Sequence, residues 1–328
     1  MSRTPHARPS LTRRHLITAA IGAAAATQLA ACAGAADTAQ TASPDGSAAP
    51  AAPQAKPAIL VTSFGTSYAS SRHATIGAIE SDIREAYPDW DVRRAFTAQI
   101  VIDHIERDTG RHIDNLEEAF DKLVADGVRT VVVQPTHLMA GFEYADIATT
   151  VDAYRDRFDA IALGAPLFDA DADMDMVAEA VHSAMAGYEG DGVCFCLMGH
   201  GTEADSNGVY EMFETRLHDL GYENYFVATV EATPTFADAT KAASDAGYTK
   251  AVLLPLMVVA GDHATNDMAD ESNPESFASV LREAGFEVTS LLMGLGQIAE
   301  IDEVYVAHVQ HAIDSLAGAT DQAEEEQR

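Results

Sequence analysis

Three polar side chains each follow an apolar run that is typical of a β-strand. They are His200, Glu231 and His263. Two imidazoles and one carboxylate are a suitable ligand set for a divalent transition metal, and they leave coordination positions open for a substrate. A single histidine or glutamate in such a place is more often an ordinary surface or helix-capping residue, so the prediction depends on all three together. Further candidates nearby are His137, Glu143 and Asp262.

The run that precedes His263 is the most informative of the three. Ala251–Ala260 is apolar and largely branched, and it stops abruptly at Gly261. An uninterrupted run of this kind is typical of a strand buried on both faces, as in a parallel sheet. Open α/β sheets bind their ligands at the carboxyl ends of the strands. We therefore expect His263 in a loop at a binding edge.

The chain contains a weak internal repeat that relates its two halves. Each half begins with a strand that ends in Gly-Thr, and each contains a later strand that is followed by Ala-Gly. The matched positions are Gly65-Thr66 with Gly201-Thr202, Phe64 with His200, Pro135 with Pro255, and Glu143 with His263. If the halves face each other, the two histidines of the second half face Phe64 and Glu143 of the first.

Strand and helix candidates alternate along the chain, which predicts a parallel, doubly wound α/β sheet. The strand candidates are Ala58–Ser63, Val92–Phe96, Val128–Val133, Ala160–Leu163, Gly192–Met198, Asn224–Val230, Ala251–Val259 and Glu287–Leu292. The helix candidates are Ser70–Tyr87, Ile100–Asp108, Asn115–Asp126, Tyr144–Phe158, Met174–Tyr188, Gly208–Leu220, Phe236–Ala246, Ser276–Ala284 and Ile301–Leu316. Residues 58–190 and 191–317 are the expected halves, and residues 318–328 form an acidic tail.

The charge of the chain argues against several classes of partner. The formal net charge is −31, and removal of residues 1–31, which hold four arginines and no acidic residue, leaves −35. Such a charge argues against nucleic acid as a partner and against electrostatic docking on anionic lipid. The sequence also lacks a GxxxxGK(S/T) phosphate loop, a GxGxxG after a strand and a GxSxG nucleophile elbow.

The amino-terminal segment has the pattern of an export signal. Arg13-Arg14 is a twin-arginine pair, and an alanine-rich apolar stretch after it ends at the lipoprotein box Leu29–Cys32. Residues 1–31 are the expected signal peptide, and Cys32 is the expected acylated residue. Residues 32–57 are rich in small and polar residues and are expected to form a flexible tether. We therefore expect an exported lipoprotein, anchored to the membrane at the cell surface or on the periplasmic side.

Longer blocks of the sequence resemble the anaerobic cobalt chelatases, the sirohydrochlorin cobaltochelatases of the class II chelatase family. In chain order, these blocks are ILVTSFGTSYASSRHATIGAIE, YPDWDVRRAFTAQIV, QPTHLMAGFEYADI, LMGHGTEADSNGVY, VATVEATP and LPLMVVAGDHATNDMAD. The resemblance implies two flavodoxin-like halves with a cleft between them and no nucleotide. It also implies that His200, Glu231 and His263 bind the metal. One departure is Thr202-Glu203-Ala204, where many members have a further histidine.

The resemblance implies insertion of Co²⁺ into sirohydrochlorin, with Fe²⁺ or Ni²⁺ as other possible metals. His200 and His263 would hold the ion and accept pyrrole protons, and Glu231 would act as a ligand or proton relay. Sirohydrochlorin carries eight carboxylates, so an acidic protein needs local positive charge at its cleft. The candidate carboxylate partners are Arg72, Arg93 and Arg94, each of which could equally be a solvated surface residue.

Two other functions fit part of the pattern. Because tetrapyrrole metal insertion is normally cytoplasmic, an exported protein could instead carry a metal, haem or another tetrapyrrole without catalysing insertion. A structural lipoprotein on an inherited chelatase fold is a further alternative, although the presence of both histidines and the glutamate disfavours it. The sequence leaves open whether the protein is a homo-oligomer.

Overall fold

The computed structural model describes residues 55–326, which contain two four-stranded parallel sheets. The strand order is β2-β1-β3-β4 in the first sheet and β6-β5-β7-β8 in the second. The strands are β1 (Ala58–Ser63), β2 (Asp91–Phe96), β3 (Thr130–Pro135), β4 (Ala160–Leu163), β5 (Val193–Gly199), β6 (Tyr225–Thr229), β7 (Lys250–Pro255) and β8 (Glu287–Ser290). The prediction of two doubly wound parallel halves is confirmed.

Helices connect the strands and cover the sheets. They are α1 (Ala69–Ala74), α2 (Ile76–Ala86), α3 (Gln99–Thr109), α4 (Leu116–Ala125), α5 (Phe142–Tyr154), α6 (Asp171–Met185), α7 (Val209–Asp219), α8 (Phe236–Asp245), α9 (Phe277–Glu283) and α10 (Ala299–Glu326). Each predicted helix is found, with two differences. The first one is broken at Thr75 into α1 and α2, and the last one continues from its predicted end at Leu316 to Glu326.

β7 ends earlier than predicted, so the segment between the strand and His263 is longer than expected. The strand stops at Pro255, and the next residues turn away from the sheet. Their carbonyl oxygens accept hydrogen bonds from the loop after β8, at 2.9 Å from Leu295 N to Met257 O. The chain then enters a helical turn with π geometry over Ala264–Met268, and His263 is its N-cap residue. The predicted loop is therefore wrong at this point.

The internal repeat corresponds to a real structural repeat. Gly65 after β1 and Gly201 after β5 both have positive φ angles, 96° and 86°. Side chains disfavour this backbone region, and a Cβ on Gly201 would lie 2.8 Å from the backbone nitrogen of Ala232. The same tight turn thus redirects the chain at the carboxyl end of the first strand in both halves.

The two halves exchange their last helices. α6 follows the first sheet but packs on α7, where Arg216 forms an ion pair with Asp175. α10 follows the second sheet but packs on α2, β3 and β4, and the hydroxyl of Tyr305 donates a buried hydrogen bond of 3.0 Å to Thr136 O. A single hydrophobic core includes residues of both halves. This exchange fixes the halves against each other and so fixes the space between them.

Several predictions concern residues outside the described part. The signal peptide, Cys32 and most of the tether lie within residues 1–54, and the structure describes none of these. Among the helices of residues 55–326, none combines the length and hydropathy needed to cross a bilayer.

We expect the docking of α10 to weaken as the pH rises. Asp302 is buried in its first turn, and burial, with the negative charge of Asp82 as a smaller cause, raises its pKa to about 8. A carboxyl group whose pKa is raised by folding binds more protons in the folded state, so stability falls as the pH rises from about 4 to about 8.

Asp302→Asn should remove this fall. The loss in free energy of unfolding between pH 5 and pH 8 should therefore be smaller in the variant than in the wild type by on the order of 3 kcal/mol. Urea unfolding at both pH values measures the effect. The control is Glu303→Gln, because Glu303 is an exposed residue on the same turn. This variant should show the wild-type difference in free energy of unfolding between the two pH values. Parallel pH profiles for wild type and Asp302→Asn would contradict the assignment.

Candidate functional site

A cleft of about 610 Å³ lies where the carboxyl ends of both sheets meet. Its walls include residues that follow β1 and β3 in the first half and β5, β6 and β7 in the second. His200, Glu231 and His263 all line it, as do Phe64 and Glu143, their counterparts from the repeat. The structure therefore brings the three predicted ligands into one cavity of a size that holds a large organic ligand.

The two histidines contact each other directly. The rings of His200 and His263 lie with their centroids 4.6 Å apart and their planes at 88°. His200 directly follows β5, and His263 lies eight residues beyond the end of β7; the two strands are adjacent in the sheet, with Met198 opposite Pro255 in the register. Edge-to-face imidazoles at this distance can direct a nitrogen from each ring at a common point.

His200 has a defined tautomer in this structure. Its Nδ1–H donates a hydrogen bond of 2.8 Å to the carbonyl of Gly201, and a carbonyl can only accept. In the neutral ring the lone pair is therefore on Nε2, which is free to bind a cation. Glu231 is held beside it, because its backbone N–H donates to His200 O at 2.9 Å and its carboxylate lies 3.9 Å from His200 Nδ1.

His263 is oriented by a residue that the sequence analysis did not select. Its Nδ1 lies 2.7 Å from the carboxylate of Asp267, one helical turn later, and donates its proton there. This arrangement also leaves Nε2 as the lone-pair nitrogen. A carboxylate behind a ligating histidine fixes the orientation of the ring. The i, i+4 spacing of the pair was visible in the sequence, but it indicates a contact only once that segment is known to be helical.

The three side chains adjoin without forming a closed ligand set. Glu231 lies on the Nδ1 side of His200, so its carboxylate must rotate to reach an ion held by Nε2. Within residues 55–326, the group whose ligand atoms all lie within 4.8 Å of one another is elsewhere: His112, Asp114 and Glu118. That group is internally paired, since His112 contacts Glu118 and Lys122 contacts Asp114. The role of the cleft residues in metal binding remains a prediction.

The structure does not bring the three candidate arginines into the cleft wall. Arg93 pairs with Asp91 and Asp126, and Arg94 forms two hydrogen bonds, 2.5 and 2.8 Å long, to the carboxylate of the buried Glu80. Arg72 comes nearest, but its guanidinium donates to the backbone carbonyls of the loop after β1. All three cations are thus used within the protein, and none of them lines the cavity.

The side chains that do line the cleft make it acidic. They include four carboxylates and neither lysine nor arginine: Glu143, Glu203, Glu231 and Asp262. His137 is also in the wall, with both ring nitrogens buried and without a partner among the described residues. Burial lowers its pKa to about 4, against the opposing effect of Glu143, so this imidazole is neutral near pH 7. The cleft is consequently suited to attract a cation.

Comparison with known proteins identifies relatives over nearly the whole described part. The model of the family Cobalt chelatase (CbiK) matches residues 57–314. The chain is 34% identical to a sirohydrochlorin cobaltochelatase of Salmonella typhimurium over 262 residues, which cover 79% of this chain and 97% of that protein. It is 27% identical to the sirohydrochlorin cobaltochelatase CbiKC of Nitratidesulfovibrio vulgaris, over 80% of this chain and 93% of the relative.

Solved structures support the fold independently. SirB from Bacillus subtilis with Fe³⁺ superimposes with a TM-score of 0.56 at 14% sequence identity, over 82% of this chain and 98% of that one. At this level of identity the match establishes a shared architecture of two α/β halves and nothing about the ligand.

The arginine pairs lead to a prediction about stability. Arg94→Ala leaves the carboxylate of Glu80 buried without its partner, so the protein should lose roughly 3 kcal/mol of stability. Arg93→Ala is the matched control and should cost less than about 1 kcal/mol, because its partner carboxylates are half exposed. Denaturant unfolding measures both. Equal losses for the two variants would contradict the distinction.

Proposed function

Because the chain belongs to the cobalt chelatase (CbiK) family, we propose that it inserts Co²⁺ into sirohydrochlorin without using a nucleotide. The observation that supports this function best is the pair of adjacent histidines in the cleft, each with Nδ1 in a hydrogen bond and Nε2 left as the lone-pair nitrogen. Fe²⁺ and Ni²⁺ suit the same donors and are secondary candidates.

The donor set accounts for the capture of the ion. Neutral imidazole binds borderline divalent ions such as Co²⁺, and two histidines hold the ion while leaving positions open for the pyrrole nitrogens. Asp267 keeps the ring of His263 in place, and Gly201 O does the same for His200. The acidic wall raises the local concentration of cations.

The same residues account for the protons. Insertion of a divalent ion breaks two pyrrole N–H bonds and forms bonds from the ring nitrogens to the metal, so two protons must leave. As the ion passes to the macrocycle, Nε2 of His200 and of His263 is released and can accept these protons. Glu231 is exposed at the cleft and adjoins His200, so its carboxylate can bind the ion or pass a proton to solvent.

We also propose that the protein acts outside the cytoplasm as a lipid-anchored enzyme. The support is the order of the amino-terminal features, with Arg13-Arg14, an apolar stretch and the box Leu29–Cys32 in succession. A twin-arginine signal exports chains that are already folded, which allows a preformed cleft to leave the cell intact. Acylation of Cys32 would attach this acidic protein to a membrane that its charge does not favour.

Metal insertion is tested with purified protein, sirohydrochlorin and Co²⁺ under anaerobic conditions without ATP. We expect catalysed insertion, and His200→Ala and His263→Ala should each lower its rate roughly 100-fold or more. Both side chains are more than one third exposed, so the free energy of unfolding should change by less than about 1 kcal/mol. His311→Ala, which replaces an exposed histidine of α10, is the control.

Protonated imidazole neither binds a metal nor accepts a proton, so the rate and the affinity for Co²⁺ should both be lower in acidic than in neutral solution. Glu231→Gln should reduce the rate even at saturating Co²⁺. A wild-type rate equal to the uncatalysed reaction at every pH, with tight binding of the metallated product, would instead identify a carrier.

The anchor is tested separately. Cys32→Ser should abolish lipid attachment and leave the protein unprocessed or released from the membrane fraction. Mass spectrometry of the mature amino terminus and fractionation without detergent measure the two effects. Wild-type protein that is soluble without detergent and carries no lipid on Cys32 would rule out the proposal.

A further inference from the structure

The cleft wall poses a problem for the recognition of a tetrapyrrole with many carboxylates. The described residues that line it contribute four carboxylates and neither lysine nor arginine, while the candidate arginines are held elsewhere. Ion pairs with the substrate periphery are therefore not available from this wall. The flat, apolar face of the macrocycle is the surface of the ligand that this wall can bind without lysine or arginine.

Two exposed aromatic residues offer such a surface. The chain has twelve phenylalanines, all within the described part, and the structure leaves two of them exposed: Phe64 at 48% and Phe142 at 60%. Both line the cleft. An exposed phenylalanine costs free energy in water, and two in one cavity indicate a binding surface for an apolar ligand.

The backbone around Phe64 is held firmly. Gly65 has a φ of 96°, and a Cβ on it would lie 2.5 Å from the ring of Phe96, so this turn accepts only glycine. The carbonyl of Phe64 accepts a hydrogen bond from Ala98 N, and Arg72 binds the carbonyls of Thr66 and Ser67. The aromatic ring is thus presented from a fixed loop, which lowers the entropic cost of stacking a ligand on it.

The internal repeat relates the positions of these two rings to those of the candidate metal ligands. Phe64 occupies the position of His200 in the other half, and Phe142 precedes Glu143, the counterpart of His263. At corresponding strand ends, the first half therefore offers aromatic surface where the second offers metal ligands. Both surfaces line one cavity, so a planar ligand in it can contact the rings of the first half and the histidines of the second.

We propose that Phe64 and Phe142 form the surface on which the tetrapyrrole macrocycle stacks, while the second half presents the metal to its opposite face. This inference rests on the proposed function and assigns the stacking of the macrocycle to the first half and the binding of the metal to the second. The ring is recognised through its apolar face, and its carboxylates remain at the solvent-exposed mouth of the cleft.

The experiment measures binding without metal insertion. Uroporphyrin, a porphyrin with eight carboxylates, is titrated at nanomolar concentration with metal-free protein, and its fluorescence anisotropy is recorded. Phe64→Ala and Phe142→Ala should each raise the Kd about tenfold, whereas Phe64→Trp should bind at least as well as wild type. Ile100→Ala is the control, because Ile100 is 64% exposed but does not line the cleft.

The dependence of the affinity on ionic strength is a second test, because stacking and recognition by cations predict different changes. Raising NaCl from 50 to 500 mM screens the repulsion between the acidic wall and the carboxylates, so the affinity should stay constant or increase. Recognition of the carboxylates by cations predicts a decrease. In the insertion assay, the phenylalanine variants should raise the KM for the tetrapyrrole with little change in kcat.

The outcomes separate this inference from the function on which it rests. If the wild-type protein neither binds uroporphyrin nor inserts Co²⁺ into sirohydrochlorin, the proposed function itself is wrong. A wild type that does both, with Phe64→Ala and Phe142→Ala indistinguishable from Ile100→Ala, overturns the stacking surface alone. An affinity that falls steeply with salt also overturns it, because cations would then hold the substrate.

Discussion

The site depends on the way in which parallel strands end together at one edge of a sheet. β6, β5 and β7 are neighbours, and their register brings the residues that follow them to the same edge. The hydrogen bond from Glu231 N to His200 O continues this pairing one step beyond the strands. Side chains far apart in sequence thereby adjoin in one cleft at the carboxyl ends of the strands.

Local hydrogen bonds then determine the chemistry available to each side chain. Gly201 O and the carboxylate of Asp267 each accept a proton from an Nδ1 atom, and so assign the lone pair of both imidazoles to Nε2. A tight turn at Gly201 and a helical turn after His263 provide these acceptors. Small backbone features thus determine which atom of each ring can hold a metal.

Electrostatics determines the charge of the cleft, and packing determines how its two walls are held together. The protein is strongly acidic, and half-buried arginines such as Arg94 pair with carboxylates of the protein itself, in this case Glu80. The cleft is left negative, which favours a divalent cation and provides neither lysine nor arginine to pair with a polyanionic ligand. The exchange of α6 and α10 between the halves packs the halves together around a shared hydrophobic core and so sets the relative position of the two cleft walls.

The sequence by itself determined the α/β class and the repeat, and it selected His200, Glu231 and His263 as candidates that the structure places in one cleft, because apolar periodicity is a local property. It placed Arg93 and Arg94 wrongly with respect to the cleft wall, since a strand end does not reveal which carboxylate a long side chain will meet. It also gave no reason to select Asp267 and did not foresee the exchange of helices. Only the tertiary structure decided these points, because ring tautomers, ion pairs and cavity walls depend on contacts between residues distant in the chain.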